Sequence, residues 1–236
     1  MLVPAIDLSE QERVVSELDL LQGIINKQKA QLKELDTLAQ SIFCELNNTC
    51  EGKQTHLGDV CTVVSGLVDP NEEPYCNYPH IGGANIESGT GRFIDVKLAK
   101  DENLISGKYP FDESMILYSK IRPNLNKVAL PIFVGICSAD MYPLIPKANV
   151  VNRVYLKFIL TQPGFLEYAI SHSGRANIPK INRQDLLEYS FNCWPLDLQL
   201  SFATKIEAIE HQKSLINQSI AETQKLFDYT MDKYFG

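Results

Sequence analysis

The sequence predicts a mixed α/β (α+β) domain flanked by two long coiled-coil-type helices, and three observations carry that reading. Apolar residues recur at alternating steps of four and three through the N-terminal part, and the same spacing returns at the C-terminal end. Between the two lie short β-like runs cut by Gly, Pro and Asn. The implied boundaries are 1–52 for the first long helix, 53–190 for the central domain and 191–236 for the last long helix.

The first seam is Val14, Leu18, Leu21, Ile25, Gln28, Leu32, Leu35, Ala39, Ile42 and Leu46. Pro4, then Asp7 or Ser9 as N-cap ahead of Glu10 and Glu12, mark its start; Asn47, Asn48 and Gly52 mark its end. About forty residues make a rod of roughly 60 Å. Such a rod must lie against another helix. The last segment supplies one after Trp194-Pro195, with Phe202, Ile206, Ile209, Lys213, Ile216, Ile220, Thr223, Phe227, Thr230 and Tyr234 in its seam. A shift of 191 residues aligns Pro4 with Pro195, Val15 with Ile206, Leu18 with Ile209 and Ile25-Asn26 with Ile216-Asn217. This is a weak internal repeat, although two apolar helices of this length also align by chance.

In the central domain, strands are predicted at 60–64, 115–120, 127–134 and 135–138. Helices are predicted at 152–161, 164–173 and 183–189, the last capped by Asn182. A segment of this length can bury its own core, but the strand spacing does not fix a topology.

Composition sets the class. Of 236 residues, 44 % are hydrophobic and 22 % charged, as in ordered soluble proteins. No run of eighteen apolar residues exists, and Asp7 and Glu10 stand where a secretory signal would be basic, so a cytoplasmic location without membrane insertion is expected. The six cysteines lack any C-x-x-C pair and read as reduced thiols. The net charge of −7 argues at first against a polyanionic ligand. Its distribution points elsewhere: residues 1–52 carry −5, residues 53–190 balance, and residues 191–236 carry −2. Within the central domain, residues 114–184 hold nine basic side chains against Asp140 and Glu167.

A search for catalysis finds no phosphate loop, dinucleotide fingerprint, H-E-x-x-H or nucleophile elbow. Gly82-Gly83 lacks the lysine or third glycine that phosphate chemistry needs and reads as a turn. Asn77-Tyr78-Pro79-His80 lacks the adjacent prolines of the adenine-methyltransferase motif it resembles. Cys76 and His80, with His56 and Cys61 upstream, lack metal-knuckle spacing, so no metal is expected. The basic half is more informative. Two loops, 119–127 and 171–180, combine Lys, Arg and Asn; Arg suits guanine edges, Asn suits adenine and Lys suits phosphates. Ordinary solvated loops share this composition. From residue chemistry and loop position, Arg122, Asn124, Asn126, Arg175 and Asn177 are the candidates for base contact, with Asn85 beside Gly82-Gly83 as a further one. Lys120, Lys127 and Lys180 are the candidates for phosphate contact.

The order of parts resembles the specificity subunits of type I restriction-modification enzymes. Pro4 to Gln11 resembles that family's P-(x)n-E-Q entry into a helix. Leu57-Gly58-Asp59-Val60 followed by Ser65-Gly66 resembles the L-G-D-(x)n-G opening of a target recognition domain, and Gly174, Ile181 and Asp185-Leu186 resemble its closing G-(x)n-I-(x)n-D-L. The resemblance implies a non-catalytic, half-length reader of one half of a gapped site in double-stranded DNA. It also implies helices that dock methyltransferase (modification) subunits, and the pair of similar seams, through Leu18, Leu21, Ile25, Leu32, Leu35, Ile42, Ile206, Ile209, Ile216 and Ile220, is expected to join two copies head to tail. The motor/endonuclease subunit is a further implied partner. No cofactor is expected on this chain, and S-adenosylmethionine is expected on the methyltransferase. The competing reading is a coiled-coil dimeric interaction scaffold without sequence-specific DNA binding.

Overall fold

Helix α1 spans Leu8–Thr49 and helix α6 spans Leu196–Phe235 in a computed structural model that describes residues 7–174 and 177–235. Two compact units result: α1 with α6 from Thr204 onward, and Cys50–Ala203. At the start of α1 the Asp7 carboxylate accepts the Glu10 amide at 2.8 Å, which makes Asp7 rather than Ser9 the cap.

In the helical unit the two seams face each other within the chain. Arg13 donates to the Tyr234 hydroxyl at 2.7 Å, Gln28 donates to Ser219 at 2.7 Å and Lys213 pairs with Asp36 at 2.7 Å, which fixes an antiparallel pair. Every predicted seam residue of α1 is buried or half-buried: Val14, Leu21, Ile25 and Ala39 are buried, while Leu18, Leu32, Leu35 and Ile42 are half-buried. On α6, Ile206 and Ile209 are buried and Ile216 and Ile220 are half-buried. Full burial of a Val, Leu or Ile is worth about 1.5 to 3 kcal/mol, so the seam is what holds these rods together. Lys213 sits inside it. Burial pulls its pKa down, and hydrogen bonds to Asp36 and Glu210 outweigh burial and leave it raised.

In the central unit, β1 (Lys53–His56) pairs antiparallel with β10 (Ser190–Cys193), which ties the domain's two ends together. Strand β10 occupies the chain to Cys193, so the last helix begins at Leu196 rather than 191. Two four-stranded sheets follow. One has the order β2-β9-β6-β7, built from Cys61–Val63, Met141–Pro146, Ile116–Ser119 and Val128–Ala129, all antiparallel. The other has the order β4-β3-β8-β5, from Lys97–Leu98, Pro79–Ile81, Gly135–Cys137 and Tyr109–Phe111, with β3 and β8 parallel. Leu117, Ala129 and Met141 of the first sheet and Ile81, Phe111 and Cys137 of the second share one core.

Helix α2 (Leu57–Val60) lies against α5 (Arg183–Glu188). Helices α3 (Arg153–Thr161) and α4 (Pro163–Ser171) follow β9, α3 capped by the Asn152 side chain on the Val154 and Tyr155 amides. An aromatic group of Tyr155, Trp194 and Phe202 packs beside them, with Tyr155 and Trp194 ring centroids 4.7 Å apart. The Asn182 side chain accepts the Asp185 amide at 2.8 Å, the cap that the sequence predicts for α5.

Candidate nucleic-acid interface

The two basic loops of the central unit meet. Ile121 and Lys180 form an antiparallel bridge, with the Arg122 amide donating to the Pro179 carbonyl at 2.7 Å and the Ile181 amide donating to the Lys120 carbonyl at 3.0 Å. In this kind of pair the facing side chains approach most closely. Lys180 therefore lies beside Ile121, and alternation along the ribbon turns Lys120 to its other face.

Arg122 and Asn126 bracket a 3-10 turn, Pro123–Leu125, and both have left-handed backbone, with φ of 47° and 46°. For arginine this conformation is uncommon. It is held because the Leu125 amide donates to the Arg122 carbonyl and the Asn126 amide to the Pro123 carbonyl, each at 2.9 Å. The turn lifts Arg122 and Asn124 into solvent.

The predicted side chains divide into two groups. Arg122, Asn124, Asn177 and Lys180 are exposed, and among the described residues their side chains have no ion pair or hydrogen bond. Lys120 is half-buried, its ammonium 5.1 Å from the centre of the Tyr142 ring, a cation–π distance. The second group is engaged by the domain itself. Asn126 donates to the Thr161 carbonyl at 3.3 Å, and Lys127 donates to the Gly83 carbonyl at 2.6 Å. Asn85 accepts the Gly82 amide at 2.9 Å and donates to the Ile94 and Asp95 carbonyls at 3.2 and 3.0 Å. These three hold loops in place. Arg175 lies outside the described residues.

The excess of positive charge is likewise partly structural. Lys147, Arg153 and Arg183 donate to the carbonyls of Asp59, Pro131 and Val64. Sequence composition cannot separate such cations from free ones.

The motifs that open and close the central domain are a latch. Leu57 is fully buried and its amide donates to the Tyr189 carbonyl at 2.8 Å, the Asp59 carboxylate accepts the His56 amide at 3.2 Å, and Leu186 is fully buried. Elsewhere, burial holds the His80 imidazole below its ordinary pKa although Glu102, 2.7 Å away, pulls it upward. Burial pushes the Cys61 thiol up to about 12. Among the described residues no three of His, Cys, Asp and Glu converge on one point.

With this geometry in hand, comparisons with known proteins are specific. The family profile described as "Type I restriction modification DNA specificity domain" matches residues 51–225. The type I restriction enzyme EcoDI specificity subunit of Escherichia coli is 31 % identical over 180 residues, covering 75 % of this chain and 39 % of that protein. Among solved structures, the S subunit of a type I restriction-modification system from M. genitalium aligns with a TM-score of 0.65 at 12 % identity, over 98 % of this chain and 62 % of that one. The HsdS subunit from Thermoanaerobacter tengcongensis aligns with a TM-score of 0.55 at 17 % identity, over 97 % and 58 %. The chain thus spans about two fifths of its curated relative and about three fifths of these structures, and the likeness in fold accords with the long helices and mixed α/β domain seen here. The match over most of its length makes the chain a member of the type I restriction-modification DNA specificity domain family.

Proposed function

We propose that this chain is a non-catalytic DNA-sequence reader, in which the joined loops of the central unit contact one half of a gapped duplex target. The observation that carries this reading is the Ile121–Lys180 bridge, which gathers uncompensated Arg, Lys and Asn side chains from two distant segments onto one ribbon. Arg122 and Asn124, raised on the left-handed turn, and Asn177 are the base readers. Lys120 and Lys180 contact phosphates. Asn85, Asn126 and Lys127, together with their carbonyl partners, set the height of the loops.

The helices dock methyltransferase subunits, which carry S-adenosylmethionine, and through them the motor/endonuclease subunit. The acidity of 1–52 and 191–236 suits a protein partner rather than phosphate. A second copy of the chain supplies the other half-site reader. Because the seams of α1 and α6 already cover each other, this pairing uses other faces of the helices, where Leu215, Leu226 and Tyr229 are exposed. Light scattering of the purified chain at micromolar concentration is expected to give twice the mass of one chain.

The test of the reading is co-expression with a cognate methyltransferase subunit in a host lacking adenine methylation, followed by genome-wide mapping of methyladenine. One gapped palindromic motif is the expected result. No motif from an assembled complex overturns the reading in favour of an interaction scaffold. Arg122→Ala is expected to cost about 1 to 3 kcal/mol at one base position and so to relax the motif there. An unchanged motif removes Arg122 from the readers.

A further inference from the structure

Beside the bridge, Tyr142 and two cations converge. Tyr142 lies opposite Tyr118 in the β6–β9 ladder and its ring carries the Lys120 ammonium at 5.1 Å. Arg183 reaches the same place from α5: its guanidinium donates to the Val64 carbonyl at 3.0 Å, and the Val64 amide donates to the carbonyl of Pro143, next to Tyr142. The ladder contact between Ile181 and Lys120 draws the start of α5 toward β6. The charge of Arg183 is felt at the Tyr142 phenol, where it lowers a pKa that burial raises.

Neither cation of this corner is ion-paired among the described residues. Asp140, whose carbonyl accepts the Lys120 amide at 3.1 Å, and Asp185, two residues past Arg183, are the acids beside them; neither carboxylate pairs with Lys120 or Arg183 among the described residues, and that of Asp185 is engaged by the Asn182 amide at 2.7 Å. The Tyr142 hydroxyl, unlike that of Tyr118, is not a buried orphan, and it has no partner in the chain among the described residues. Two cations that are not ion-paired among the described residues, beside a phenolic donor with no partner there, form a receptor for a tetrahedral monoanion.

We propose that Lys120, Tyr142 and Arg183 form a seat for one backbone phosphate of duplex DNA. The inference deepens the reading above and rests on it. It adds two residues, Tyr142 and Arg183, to the contact surface. The arginine supplies the fork, the lysine a second charge and the tyrosine a neutral donor that fixes where the phosphate oxygen sits. The seat carries no base information, and its work is to set the register of the Arg122 turn on the duplex.

The test uses the full chain and a short duplex of arbitrary sequence, with affinity measured from about 25 to 150 mM KCl. Each phosphate neutralised contributes about 0.9 to the slope of log K against log salt. Arg183→Gln is expected to make the slope shallower by about that amount, and Arg183→Lys to restore it. Tyr142→Phe is expected to weaken binding at unchanged slope, because a neutral hydroxyl releases no counterion. Equal slopes and affinities for wild type, Arg183→Gln, Lys120→Ala and Tyr142→Phe overturn the seat while leaving DNA reading intact. Binding by wild type that shows no salt dependence overturns both. If Arg183→Gln proves unstable through loss of its Val64 contact, Tyr142→Phe and Lys120→Ala decide the matter by the same readout. Inorganic phosphate at millimolar concentration, with ionic strength held constant, separates the sources. Competition with DNA in wild type only supports the seat; competition that persists in Arg183→Gln and Tyr142→Phe places the anion elsewhere and overturns it.

Discussion

Alanine at position 91 is expected to destabilise the central unit by roughly 2 to 5 kcal/mol. Gly91 has φ of +73°, and a side chain in the left-handed region costs about 1 to 2 kcal/mol. A Cβ there also lands on the carbonyl oxygen of Val128 in β7, and backbone does not yield as the end of a side chain would. Overpacking of this kind adds about 1 to 3 kcal/mol. Gly89 is the internal control: its φ is +78°, with nothing within 4 Å of a Cβ, so Gly89→Ala carries the strain without the collision. Thermal unfolding of the two variants measures both contributions. A Gly91→Ala protein that melts with Gly89→Ala removes the collision from the account.

Truncation of Leu57 to alanine is expected to cost about 2 to 5 kcal/mol, the range for a fully buried leucine. Leu57 has no exposed surface, and it begins the short helix that joins β1 to β2 beside α5. Gly58 approaches Leu187 so closely that a Cβ would lie 3.3 Å from the Leu187 side chain. The cavity therefore opens where the first and last elements of the domain are joined. Urea unfolding should show a lower midpoint with an unchanged slope. A shift below about 0.5 kcal/mol would mean that the latch carries no load.

What the sequence reveals depends on how local the cause is. The seams of α1 and α6 are legible residue by residue, because a heptad states its burial pattern within a few turns and no distant partner alters it. Helix α3 is legible from its pattern of apolar residues and α5 from its cap, Asn182, whereas Asn152, expected inside α3, is its cap. Strand β9 is not, since Pro143 and Pro146 mark the segment as a breaker, yet Met141–Pro146 is a central strand whose ladder tolerates the missing amides. Strands β3 and β5 are three residues long and contain Pro79 and Pro110, so only partners elsewhere in the chain define them. The segment predicted as a strand over 127–134 is one only at Val128–Ala129.

The candidate site follows the same rule. Loop chemistry at Arg122, Asn124, Asn177 and Lys180 is visible in composition, whereas the bridge that joins the loops is a long-range fact. Asn85, Asn126 and Lys127 have the same chemistry as the free side chains, and only the carbonyls they hold distinguish them. Tyr142 and Arg183 carry no sequence signal, one concealed in an unrecognised strand and the other at a helix start.

The left-handed backbone at Arg122 also sets the alphabet in which that position can evolve. Glycine, asparagine, aspartate and histidine enter such a conformation at little cost, whereas β-branched residues do not. If the turn presents its residue to a base pair, retargeting at that position draws on a short vocabulary: arginine for a guanine edge, asparagine for an adenine, aspartate for a cytosine, and glycine for indifference. Threonine, isoleucine and valine, whose methyls would suit thymine, fall outside it. A lineage that needs to read thymine at that place must reshape the turn, so changes of target across this position should come as loop replacements rather than as single substitutions.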